Sequence, residues 1–336
     1  ADHFVATPVV IGTPGVEING SAVAGNGLAV QNAAQVLIRG LSITNFGGAG
    51  LVLQDTASYS LIEGMHIGVD LSGASIGTGN NRGIQLKNGA NNIVIGDWFH
   101  HSRNVIANND STGILFTGSA TFNNAVVNCM IGTDATGMAA APNQDGIIVR
   151  DSANNIQIGD SLLFGNLISG NLKTGVSLAD TLSDLNQVYG NLIGTNILGT
   201  GAIGNNKGVV IKKRSNLNAV GGPGRGNLIS GNDSCGVEVN TWANGVYGNL
   251  IGTQLDGITP LGNGADGILM ADPVGVNLIG LSAPRHGNVI CGNDGNGIRM
   301  IGSNLLVISQ NLIGVGKDST SVIGNKKHGI LIDTNA

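Results

Sequence analysis

Apolar side chains in this chain come in runs of two to five residues that alternate with polar ones, and each run is bounded by Gly or Asn. Alternation with period two over so few residues predicts short strands, and no sustained 3.6-residue period predicts a helix. The pattern repeats. A Gly followed by apolar, any, apolar falls at Gly27, Gly50, Gly83, Gly113, Gly146, Gly175, Gly208, Gly236, Gly267, Gly297 and Gly329. Taken two at a time from Gly50, the spacings are 63, 62, 61 and 61 residues, steadier than the single rounds, so the duplicated unit is a pair of rounds. Each round carries three short apolar segments; in the round before Gly208 they are Gln187–Tyr189, Leu192–Ile193 and, past a loop, residues 209–211. Three strands per repeating round describe the coil of a β-solenoid.

The two positions that flank the central residue of the marker strand are apolar in every round, from Leu28 and Val30 to Ile330 and Ile332. Alternate residues of a strand share a face, so these two columns predict one continuous core. Two kinds of round alternate. One has a long excursion after IGT, as at residues 134–145, 196–207 and 254–266. The other has a loop on another corner, at 97–103, 160–164, 222–226 and 281–287. Recurrent Asn at the corners predicts side-chain ladders from coil to coil.

The segments GNLIGT, GNLISGN and GNVICGN resemble those of right-handed single-stranded parallel β-helix repeat proteins, the pectate-lyase-like fold superfamily. The resemblance covers residues 36–332 and rests on corner and core positions. It implies an all-β, right-handed parallel β-helix of about eleven coils with alternating long and short corner loops. It also implies an extracellular or cell-surface, secreted location and carbohydrate as substrate or ligand. The chain reads as a single domain: residues 1–26 an irregular N-terminal cap or entry, 27–332 the coils, and 333–336 a tail or truncated end.

Composition narrows the function. Gly is 56 of 336 residues, aromatics are 3% and charged residues 11%, which excludes disorder, and without a G-X-Y period also collagen. A net charge of −5 gives no whole-chain footprint for nucleic acid or an anionic membrane, and no apolar run is long enough to span a membrane. Cys129, Cys235 and Cys291 have no CxxC spacing and read as buried small hydrophobes.

The Asp, Asn-Thr-Asp, Gly-His-Gly and Asp-Pro-His-Asp sets of the lyases, polygalacturonases and epimerases that share this fold are not found in this sequence. The richest segment is 97–103, in which Asp97, His100 and His101 are acid/base candidates and Trp98 and Arg103 are ligand candidates. Lys212, Lys213 and Arg214 form a basic run suited to an anionic polysaccharide. No metal set is recognised; Ca²⁺ suits the fold, but no site for it is identified.

The outward position of the marker strand is apolar at Leu115, Ile148, Val210, Leu269 and Leu331, a stripe that a free rod would expose. Either the long loops fold over it or other copies of the chain do. The expectation is therefore a scaffold or adhesin-like rod that associates laterally or end to end, a homo-oligomer or part of a longer chain, with polysaccharide as the other partner. The alternative is a polysaccharide lyase or glycoside hydrolase.

Overall fold

The computed structural model describes residues 13–75, 77, 79–98, 102–161, 165–271, 275–283, 286–302 and 306–333. These wind into a right-handed parallel β-helix with three sheets. Sheet 1 has 11 strands, from Val16–Asn19 to Leu312–Ile313. Sheet 2 has 11, from Leu28–Gln31 to Ile330–Asp333, and sheet 3 has 10, from Leu37–Arg39 to Leu306–Ile308. Each strand pairs in parallel with its equivalent in the next coil; Val209, for example, stands between Val176 and Val237. At roughly 4.8 Å per coil, the stack is about 50 Å long.

The expected core is present. Ile147, Val149, Val176, Leu178, Val209 and Ile211 are fully buried, together with inward residues of the other two sheets such as Val188 and Ile193. Cys129, Cys235 and Cys291 are buried free thiols. Coiling aligns like with like, so each buried side chain meets its equivalent above and below. That contact removes apolar area from water at roughly 25 cal/mol per Å².

Asn closes all three corners. Between sheets 1 and 2, the Nδ2 of Asn80 donates to Asn109 Oδ1, and the chain of donations continues through Asn143, Asn171, Asn205, Asn232, Asn263 and Asn293 to Asn325 at 2.8–3.1 Å. Between sheets 3 and 1, a second ladder runs from Asn166 through Asn191, Asn227, Asn249 and Asn288 to Asn311. Between sheets 2 and 3, a third links Asn186, Asn218 and Asn244. In each, a buried amide that would otherwise lack partners receives them from the neighbouring coil.

The long excursions explain the two-round period. Each folds back on the outer face of sheet 1, where Ala135, Ile197 and Leu255 cover Met130, Leu167, Leu192 and Leu228. The excursions also stack on one another. Ala135, Ile197, Leu255 and Lys317 donate their backbone N–H to Gly73, Gly137, Gly199 and Gly257 in the excursion two rounds earlier. A stacked outer layer that recurs every second coil demands a repeat two coils long.

The first of these excursions buries His66 completely. Its Nδ1 lies 2.8 Å from the Asp70 carbonyl oxygen, which only accepts, so Nδ1 carries the proton of the neutral ring. Burial pushes its pKa below 6.5, and the Asp70 carbonyl and carboxylate offset only part of that. The unfolded chain therefore takes up a proton at 6.5 where the folded one does not. Stability is expected to be insensitive to this group above that pH and to fall below it, by at most about 1.4 kcal/mol per pH unit. Urea unfolding across pH 5–7 should show this slope in the parent and a smaller one in His66→Gln; equal slopes would remove His66 as the cause.

Candidate functional site

A repeat supplies its own control, since a departure from the pattern of the other coils shows where a side chain is not required by the fold. Departures cluster at two places, one of them on the corner between sheets 2 and 3. There a residue in the left-handed region recurs from coil to coil, beginning with Gln35 and Tyr59 at φ 59° and 50°. Asn92, Asn123 and Asn155 hold it in three successive coils, with φ of 52°, 54° and 51°. In the next two coils it is held by Leu185 and Leu217, at φ 59° and 56°. One coil later Ala243 holds it at φ 58°, and the ring of Trp242 just before it packs on Gly275 of the coil beyond while remaining 45% exposed.

These turns enclose a cleft of about 620 Å³ that crosses three coils, lined by Leu182, Lys213, Arg214, Asn216, Thr241 and Trp242 among others. Its walls are tied together from coil to coil. The Asn216 backbone N–H donates to Asp184 Oδ1 at 2.6 Å, the Thr241 hydroxyl bonds the Asn216 side chain at 2.9 Å, and Lys213 pairs with Asp180 at 3.3 Å. Arg214 is exposed and forms no ion pair among the described residues. Lys212, on the preceding strand, is half-buried. The cleft thus offers an aromatic face, an unpaired guanidinium and amide groups within one surface, a set suited to binding.

The second cluster surrounds the loop 97–103. Asp97 is buried and Trp98 half-buried, while His100 and His101 lie outside the described residues. Arg103 stands at the corner position that Gly165, Gly226 and Gly287 hold in equivalent coils. Its Nη1 is shielded from solvent without a hydrogen-bond partner among the described residues, and desolvation lowers its pKa. In the next coil, Cys129 takes the ladder place of an Asn. It receives a weak 3.6 Å bond from Asn104 Nδ2, and its own backbone N–H donates to Asn166 Oδ1 at 2.9 Å. Burial pushes the Cys129 thiol up to about 12, so it is no thiolate nucleophile at neutral pH.

Glu63, which the sequence reading passed over, lies one coil below this loop. The strand pairing Leu61–Val94 and Ile62–Ile95 continues to place it beside Gly96, next to Asp97. It is largely buried and pairs with Arg39 at 3.8 Å. Aligning the coils by their ladder positions would have placed Glu63 and Asp97 one register step apart from sequence.

The outward stripe differs from expectation in its covering. Leu115 and Val210 are only 2% exposed, and Ile148, Leu269 and Leu331 are half-buried. The long excursions do not cover them, because they lie on sheet 1. Val210 sits between Ser177 and Glu238 in the column, and the Glu238 carboxylate is held by Lys207 at 2.5 Å and by Asn240 at 2.8 Å. Lys207, on the same strand as Val210, and Glu238 in the next coil thus form an ion pair beside it.

No protein-family model matches this chain, and no curated protein matches it. Among the described residues, no group of three His, Cys, Asp or Glu side chains gathers as a metal site, and no helix is long and apolar enough to cross a membrane.

Proposed function

We propose that this chain is an extracellular or surface-exposed scaffold, a pectate-lyase-like β-helix rod that acts by adhesion, with the cleft between sheets 2 and 3 as its contact surface. The observation that carries this reading is the placing of exposed Trp242 and unpaired Arg214 in one cleft across three coils. Trp and Arg contribute most where one side chain must supply much contact. Polysaccharide is a partner class that this chemistry suits, with the sugar face on Trp242 and an acidic group on Arg214. Association between rods through the half-covered Ile148, Leu269 and Leu331 belongs to the same reading.

The test offers the full chain two anionic surfaces, immobilised polygalacturonate and anionic vesicles, and assays the polysaccharide for released ends. At least one surface should retain the protein, with affinity lowered on the order of tenfold, about 1.4 kcal/mol, in Trp242→Ala and in Arg214→Gln. No ends should be released. Retention by neither surface, or retention that both variants keep, would remove the cleft as the contact surface.

A second reading, a polysaccharide lyase or glycoside hydrolase, is favoured by the place of Glu63 one coil below the loop that carries Asp97 and the half-buried Trp98. Release of ends by the parent, lost in Glu63→Gln and Asp97→Asn, would establish it in place of the scaffold.

A further inference from the structure

We infer that the crest of the corner between sheets 2 and 3 docks on an anionic lipid surface, which names the partner of the adhesive corner and rests on that reading. The inference starts from two leucines in the wrong conformation. A left-handed backbone costs a side chain with a Cβ roughly 1–2 kcal/mol, and Asn escapes much of that by bonding locally. The three coils before them use Asn92, Asn123 and Asn155 at this position. Leu185 and Leu217 take up the same strained φ and yet are 53% and 58% exposed. Leu182, at φ 65°, is 61% exposed on the same turn as Leu185. These side chains neither fill the core nor ease the backbone, so nothing within the chain accounts for them.

Around them the crest combines two further properties. Trp242 and Val276 extend the apolar line into the next coils, and Lys212, Lys213 and Arg214 lie beside it. Lys213 is occupied by Asp180, and Asp184 receives the Asn216 N–H, which leaves Arg214 and Lys212 as the cations free to meet a ligand. Whole-chain charge hides this arrangement, since the net −5 is spread over the rest of the rod.

Three occupants would use such a crest differently. A second copy needs about 800 Å² per partner for a stable interface, more than five apolar side chains supply. A two-fold contact there would also set the two basic runs against each other. A saccharide is served by Trp242, Arg214 and the amides, but gains nothing from leucine where Asn was available. A bilayer interface uses every part: Leu enters the acyl boundary, Trp sits at headgroup level and Arg and Lys meet lipid phosphates. With so few free cations the apolar insertion dominates, and salt should weaken the binding only in part.

The experiment is co-sedimentation of the full chain with phosphatidylcholine vesicles, with and without phosphatidylglycerol. The parent is expected to bind the phosphatidylglycerol vesicles. Leu185→Asn with Leu217→Asn should lower that binding on the order of tenfold, and Arg214→Gln should reduce the preference for phosphatidylglycerol. Because Asn is what the neighbouring coils carry, the double variant should unfold at the same temperature as the parent or higher, which separates lost binding from lost structure. The inference is overturned if the parent ignores these vesicles or the double variant binds them equally well. If polygalacturonate alone is retained, and Trp242→Ala releases it, the lipid partner falls while the adhesive corner stands; if neither surface is retained, both fall. A parent dimer that the double variant dissociates assigns the crest to a second copy instead.

Discussion

Replacing Asn205 by alanine is expected to destabilise the rod by about 3–5 kcal/mol. Asn205 is fully buried in the middle of the ladder between sheets 1 and 2. Its Nδ2 donates to the Ile168 carbonyl at 2.9 Å and to Asn232 Oδ1 at 3.0 Å, and its Oδ1 accepts from the Asn171 side chain and backbone at 2.8 and 3.1 Å. Alanine removes all four bonds at once. The Asn171 N–H is then left without its partner, and a buried group so left costs roughly 1–3 kcal/mol, while the Ile168 carbonyl keeps only the Gly194 N–H at 3.2 Å. Because coils contact only their neighbours, the weakened junction should become the place where the stack opens first. Asn325, at the end of the same ladder and half-buried, is the control. Water can replace its bonds, so Asn325→Ala should cost about 1 kcal/mol. Urea unfolding of the two variants checks this, and equal losses would mean that the ladder amides are not what holds the coils together.

The fold was legible because the coil forces a simple code on the chain. The strands Gln187–Tyr189 and Leu192–Ile193 fall where alternation places them, and the ladder Asn residues fall where Gly and Asn recur. The marker strand is longer than its apolar residues, Lys207–Lys212, because pairing to Thr174 and Ala179 extends it over polar ends that alternation does not register. The two-round period was visible as a number, but its cause was not. Its cause is a contact between excursions two coils apart, such as Ile197 on Gly137, which no local pattern records.

The candidate site was less legible, for the same reason. Lys213 and Arg214 stand out as a run of charge, but Trp242 sits in a plain turn with no motif, and only the stacking of coils brings the three into one cleft. Leu185 and Leu217 belong to no motif in the sequence; their left-handed backbone becomes apparent only once the coils are stacked and the three before them are seen to carry Asn. Val210 errs in the other direction. Alternation points it outward, correctly, yet it is buried beside the pair of Lys207 and Glu238, charged residues on two different coils. A solenoid writes its core along the strand and its surface across the coils, so a reading along the strand recovers the first far better than the second.

The marker glycine is open to a sharper test. Gly208→Ala is expected to cost about 3 kcal/mol or more, beyond ordinary overpacking. Gly208 does not have a positive φ, so conformational freedom is not its reason. A Cβ there would lie 2.4 Å from the Gly236 carbonyl oxygen, 2.8 Å from Ile229 Cγ2 and 3.1 Å from Asn232 Nδ2. The first belongs to the backbone of the next coil, the second to the core and the third to the ladder, so none is the loose end of a flexible side chain. Relief requires the coils to move apart, which stretches the strand pairing and the Asn205–Asn232 bond together. Gly324→Ala is the control, since a Cβ there meets no atom within 4 Å and the backbone does not require glycine; thermal unfolding should barely change. The two explanations for glycine separate in a third variant. If left-handed freedom were the requirement, Gly208→Asn would be tolerated better than Gly208→Ala, because Asn enters that region most readily. If close approach is the requirement, the larger side chain does no better than alanine, and both fall well below Gly324→Ala.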